Sequence, residues 1–111
     1  MADKSSRDLF PGSLEMMILQ TLRREPMHGY ALAQTIQRAS NDLLQVEEGS
    51  LYPALQKMLM KGWVKAEWAL SDTKRRVRSY RLTPAGRKQL EAELAGYDHV
   101  NRAIQAVLKL A

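Results

Sequence analysis

Residues 49–84 read GSLYPALQKMLMKGWVKAEWALSDTKRRVRSYRLTP, and a change of rhythm inside them decides the fold. Leu51, Leu55, Met58 and Leu59 recur at helical spacing, which predicts a helix opened by Gly49-Ser50. Pro53 is tolerated there if it falls in the first turn, whose N–H groups have no helical partner anyway. Gly62 stands at the usual position just past a helix end. Beyond it the period drops to two. Val64, Ala66 and Trp68 alternate with Lys65 and Glu67, and Arg78, Tyr80 and Leu82 alternate with Val77, Ser79 and Arg81. The polar stretch Ser71-Asp72-Thr73-Lys74-Arg75 joins the two runs, so a β-hairpin with a cationic tip is predicted. Thr83-Pro84 then starts another helix, with Thr at the N-cap and Pro in the first turn.

On the N-terminal side, Pro11-Gly12 reads as a turn and Ser13 as the cap of a first helix. Leu14, Met17, Ile18, Thr21 and Leu22 form one apolar stripe, while Met16 and Leu19 lie off it. Apolar surface on two sides of a helix predicts two neighbours, the core and a second subunit. The helix ends before Pro26. A second helix opens at His28-Gly29 and runs to about Ala39 with Leu32, Ala33 and Ile36 inward, until Ser40-Asn41-Asp42 breaks it. Leu44-Gln45-Val46 alternates and predicts a single short strand. On the C-terminal side, Leu90, Leu94, Tyr97, Ile104 and Leu108 fall on a heptad-like line, with Asn101 in its one gap and Gly96 weakening the helix locally. The predicted fold is α+β, mostly α: a winged helix-turn-helix with a two-stranded wing and a long C-terminal dimerisation helix. Its parts are a flexible arm at 1–10, the winged domain at 11–83 and the last helix at 84–111.

The chain's 111 residues suit one domain. With 45% hydrophobic and 26% charged residues, the usage is that of a globular chain. The absence of Cys excludes a disulfide scaffold, thiolate metal sites and a Cys nucleophile together. His28 and His99 have no metal-ligand spacing, so neither metal nor cofactor is expected. No apolar run approaches a membrane span and the polar N-terminus does not read as a signal peptide, which predicts a cytoplasmic location and no membrane partner. The net charge of +5 is unevenly spread. From Lys57 to Lys88 there are ten basic residues against Glu67 and Asp72, a net of +8, which leaves −3 elsewhere. That is the footprint of a polyanion partner, although a solvated basic face has the same composition.

In a winged helix-turn-helix the third helix enters the major groove of double-stranded DNA and the wing meets phosphate or the minor groove. Ser50, Tyr52, Gln56 and Lys57 are the candidate contacts on helix three. Tyr52 has a second reading, packing against helix two. Lys74, Arg75, Arg76 and Arg78 are the wing set, with alternation putting Arg76 and Arg78 on one side and Arg75 on the other. His28-Gly29-Tyr30 could seat a phosphate at the start of helix two, but a plain cap with a buried tyrosine is the preferred reading. For dimerisation the candidates are Met16, Leu19, Leu90, Leu94, Tyr97, Asn101, Ile104 and Leu108. Asn101 would pair across the two-fold axis, or else face water. Trp63 and Trp68 come from opposite faces of one strand. One belongs to the core, and the other either packs under the last helix or lines a site for a small hydrophobic or aromatic effector.

Four stretches carry a resemblance: Pro11-Gly12-Ser13-Leu14, Met27-His28-Gly29-Tyr30-Ala31-Leu32, Glu48-Gly49-Ser50-Leu51-Tyr52-Pro53-Ala54-Leu55 and Tyr80-Arg81-Leu82-Thr83-Pro84-Ala85-Gly86-Arg87. In this order they resemble the PadR family of bacterial transcriptional regulators, over about Leu14 to Arg87. The length resembles the short branch, with one C-terminal dimerisation helix. The resemblance implies a homodimeric repressor whose operator release responds to a small molecule. A contrasting reading is a protein-interaction module that docks a partner through its last helix, which has no need of four cations at the wing. An RNA or membrane-surface binder leaves the ordered motifs unexplained. An enzyme is least supported, for want of a phosphate loop or a paired His–carboxylate motif.

Overall fold

The computed structural model describes residues 12–110, so the arm expected at 1–10 lies outside the described residues. Four helices and three strands follow in the order α1 (Ser13–Arg24), β1 (Met27–His28), α2 (Gly29–Ala39), α3 (Glu48–Met60), β2 (Val64–Leu70), β3 (Arg76–Leu82) and α4 (Pro84–Leu108). The sheet is antiparallel in the order β1-β3-β2.

The strand expected at Leu44-Gln45-Val46 is not formed, and the third strand is Met27–His28, paired with Tyr80 and Ser79. The reason is local. Asn41 and Asp42 adopt positive φ, at 55° and 64°. The Leu43 N–H then donates to the Ser40 carbonyl, and the Leu44 N–H to Ser40 Oγ at 3.1 Å. The chain thus folds back on the end of α2, while Met27 takes the free edge of β3.

Helix starts differ in detail from the sequence reading. Gly12, at φ 85°, holds the N-cap of α1, and Ser13 is its first helical residue. Helix α3 starts at Glu48, which places Pro53 in the second turn rather than the first. The hydrogen bond Pro53 cannot make would have gone to Gly49, which is exposed and leaves its carbonyl to water. At the other end of α3, Gly62 has φ 78°. The Gly62 N–H reaches the Leu59 carbonyl and the Trp63 N–H reaches that of Met58, the paired bonds of a Schellman cap.

Ile18, Leu19, Leu22, Leu32, Ile36, Leu51, Leu55, Met58, Val64, Tyr80 and Leu90 form one core. Helix α1 is its hub, touched by α2, α3, α4 and β3. Its apolar surface on two sides serves this single core. Leu19 and Leu90, expected to offer surface to a second subunit, are both 0% exposed within the chain and have none to offer.

Thr83 locks the start of α4 to the end of α3. Its N–H donates to the Trp63 carbonyl (3.0 Å), its hydroxyl donates to the Gly62 carbonyl (2.6 Å), and its Oγ1 accepts from the Gly86 N–H (3.0 Å). Helix α4 then runs 25 residues, about 37 Å at 1.5 Å per residue, and every residue from Ala95 to Leu110 is exposed.

Candidate nucleic-acid interface

The pleat of the wing separates two surfaces. Register pairs Ala66 with Tyr80, Trp68 with Arg78 and Leu70 with Arg76, so these six share one face. Lys65, Glu67, Ser79 and Arg81 share the other, where the Arg81 guanidinium lies 4.0 Å from the Glu67 carboxylate. The first face looks across an open cleft of about 500 Å³ toward Tyr52 and Gln56 of α3, with His28, Gly29 and Tyr30 at the start of α2 closing one end. The two cations of this face rest on aromatic rings. Arg76 sits 4.6 Å from the centre of Trp68, and Arg78 sits 5.9 Å from that of Tyr80. No acidic side chain is among the described residues lining the cleft.

The four helix-three residues do not share a face. Tyr52 and Gln56 line the cleft, but Lys57 makes a 3.1 Å ion pair with Glu15 of α1. At about 100° per residue, Lys57 lies about 140° around the helix from Tyr52, and Ser50, seven residues before Lys57, follows its flank. Local pattern could not expose the Glu15 pairing, because it joins residues far apart in sequence.

The packing reading of Tyr52 is the one the structure shows. Its ring packs against Gly29, where a Cβ would collide with it, yet the side chain remains partly exposed. Burial first, then the Glu48 carboxylate and Tyr80, push its phenol above the ordinary value, so it stays a neutral hydroxyl at physiological pH. Tyr30 departs from the expected buried tyrosine: it is 65% exposed, and its hydroxyl accepts from Gln34 Nε2 at 3.0 Å. At about 100° per residue, Tyr30 lies about 160° around α2 from the buried Leu32 and about 120° from the buried Ile36, on the side away from the core.

In the wing, Arg76 and Arg78 lie in the cleft while Lys74 and Arg75 belong to the tip. The tip is ordered around Ser71. Its carbonyl accepts from the Lys74 N–H (2.9 Å), its hydroxyl accepts from the Arg75 N–H (3.2 Å), and Lys74 has φ 63°. The tryptophans are kept apart. Trp63 is half-buried against the core with Lys61 over its ring at 5.7 Å, whereas Trp68 is 61% exposed in the cleft.

Of the dimerisation candidates, Met16 and Leu94 are half-buried walls of an open apolar groove of about 290 Å³, completed by Met17, Thr21, Ile36 and Ala39. Tyr97, Asn101, Ile104 and Leu108 are exposed along the projecting part of α4. Val100 and Val107, not singled out by the heptad line, are exposed beside them. Their spacing of seven was visible in the sequence.

Residues 18–92 match the transcriptional regulator PadR-like family. The chain belongs to this family. The match spans the core, α3 and the wing, and stops on α4 before Tyr97. Members of the PadR-like family are transcriptional regulators, not enzymes. Among relatives, this PadR-like chain is 29% identical over 98 residues to a transcriptional regulator of Mycobacterium tuberculosis, covering 88% of each chain. A crystal structure of a PadR family transcriptional regulator from Eggerthella lenta superposes with a TM-score of 0.82 at 25% identity, covering 99% of this chain and 94% of the other. The structure of a regulator from Clostridium thermocellum, at 24% identity, shares the fold with a TM-score of 0.84 over 92% of this chain and 99% of its own. Among the described residues, no helix is long and apolar enough to cross a membrane, and no group of three His, Cys, Asp or Glu could hold a metal ion.

Proposed function

We propose that this PadR-like regulator is a cytoplasmic homodimeric repressor that reads a two-fold operator through α3 and the wing. The cleft carries the reading, because Gln56 faces the same opening as Arg76 and Arg78. A duplex edge entering there meets an amide able to bond a base and two guanidiniums able to bond phosphate. Lys74 and Arg75 extend the cationic surface along the phosphate backbone. An interaction module would leave that arrangement without a purpose. The dimer reading draws on α4, whose exposed Tyr97, Ile104 and Leu108 continue the line of Leu94. The cleft at Trp68 and the groove at Leu94 are both open-sided, so a small aromatic effector would need the partner subunit to close over it.

The test is titration of a labelled palindromic duplex from the gene's upstream region, alongside a mixed-sequence duplex. Arg76→Ala combined with Arg78→Ala should weaken both, and should lower the log–log salt slope by about 0.9 for each phosphate no longer engaged. Unchanged affinity and slope would remove the wing from the interface. Gln56→Ala should act differently. It should erase about 1–3 kcal/mol of preference at one base pair of each half-site while barely changing mixed-sequence affinity, as measured by titrating single-substitution operators. A uniform loss over all duplexes would make Gln56 a backbone contact.

A further inference from the structure

We propose that Trp68 is a positioning residue for DNA binding: its indole face holds the Arg76 guanidinium in place over the cleft that Gln56 also faces. The assignment rests on the DNA-binding reading above and deepens it. Trp68 has no evident role in folding. It is 61% exposed and stands on the outer part of β2, where every residue from Glu67 to Leu70 is exposed. Register places Arg78 directly opposite and Arg76 one pair further toward the tip, the diagonal position a large ring can reach. The guanidinium lies 4.6 Å from the ring centre, within cation–π range.

An unsupported arginine gives up much of its side-chain freedom when it engages phosphate. Stacked on Trp68, Arg76 has surrendered part of that freedom before DNA arrives. No carboxylate is among the described residues lining the cleft, and Glu67, Trp68's neighbour on β2, is on the opposite face beside Arg81. Arg78 has a similar platform in Tyr80, but Tyr80 is 5% exposed and belongs to the core, so only the Trp68 pair can be dissected without touching the fold.

The experiment is a double-mutant cycle on Trp68→Ala and Arg76→Ala, read by fluorescence anisotropy of a labelled mixed-sequence duplex at two salt concentrations, with Trp68→Phe as the conservative variant. Trp68→Ala should lower the melting temperature by a few degrees at most, the loss of one exposed cation–π contact, and weaken binding about two- to fivefold per engaged subunit, the cost of ordering Arg76 only when DNA arrives. It should have no further effect once Arg76 is alanine. Trp68→Phe should recover most of the affinity, because a ring face remains. An additive loss would overturn the assignment by making Trp68 a direct DNA contact, and an unchanged affinity for Trp68→Ala would overturn it outright. If the wild-type protein binds no duplex, the DNA-binding reading itself fails and the assignment fails with it. That result is distinct from a binding wild type with a silent Trp68.

Discussion

Ile104→Glu combined with Leu108→Glu is expected to yield a folded monomer whose operator affinity is lower by about 10²–10⁴-fold, the range set by losing a linked second binding site. Both side chains are exposed, at 42% and 70%, and neither contributes to the core, so the fold has no reason to suffer. Charge placed on the exposed stripe is incompatible with helix-to-helix burial. Cutting the chain after Lys88 would be a poorer test, because it also removes Leu90, which is 0% exposed in the core. Sedimentation at micromolar concentration separates the outcomes: a variant that still sediments as a dimer overturns the α4 interface, and a wild type that is monomeric yet grips its operator overturns the dimer.

Gly86→Ala is expected to have the largest effect on stability. A Cβ at Gly86 would run into the Trp63 carbonyl oxygen, with Leu82 Cδ1 at 2.8 Å. The leucine can rotate, but the carbonyl is backbone and already accepts the Thr83 N–H. Relief requires α4 to move off the end of α3, which strains both Thr83 bonds. Overpacking plus a weakened buried hydrogen bond should cost about 3 kcal/mol, or roughly 10–20 °C of melting temperature for a domain of this size. Gly96→Ala is the internal control. It lies mid-helix with nothing within 4 Å, and should raise stability by up to about 1 kcal/mol. Thermal melts followed by circular dichroism compare the two, and a Gly86→Ala protein that melts with the wild type would refute the close-approach argument.

What is legible in the sequence is what the chain decides locally. The hairpin, the Gly62 stop and the Thr83-Pro84 start follow from residues within a few positions of each other, and each appears at its expected place. The heptad line on α4 is legible too, because periodicity survives whether a helix is covered or bare. The strand missing at Leu44-Gln45-Val46 has a local cause, but four other departures share a different one: partners distant in sequence. Leu19 looks spare only if α1 has a single neighbour, whereas several elements pack around it. Two residues are too few for periodicity, so β1 owes its existence to the vacant edge of Tyr80. Lys57 is drawn to Glu15 across some forty residues of chain. The Trp68–Arg76 stack depends on hairpin register, which a five-residue tip does not dictate in advance.

The lock at Thr83 makes α3 and α4 two arms of one rigid bracket. In a dimer built on α4, the separation of the two reading heads is then a matter of leverage. Over the roughly 37 Å of a 25-residue helix, a pivot of about 5° at one end swings the other by roughly 3 Å, close to one base step of duplex. A molecule wedged between the paired arms could put the heads out of phase with their half-sites without touching either of them.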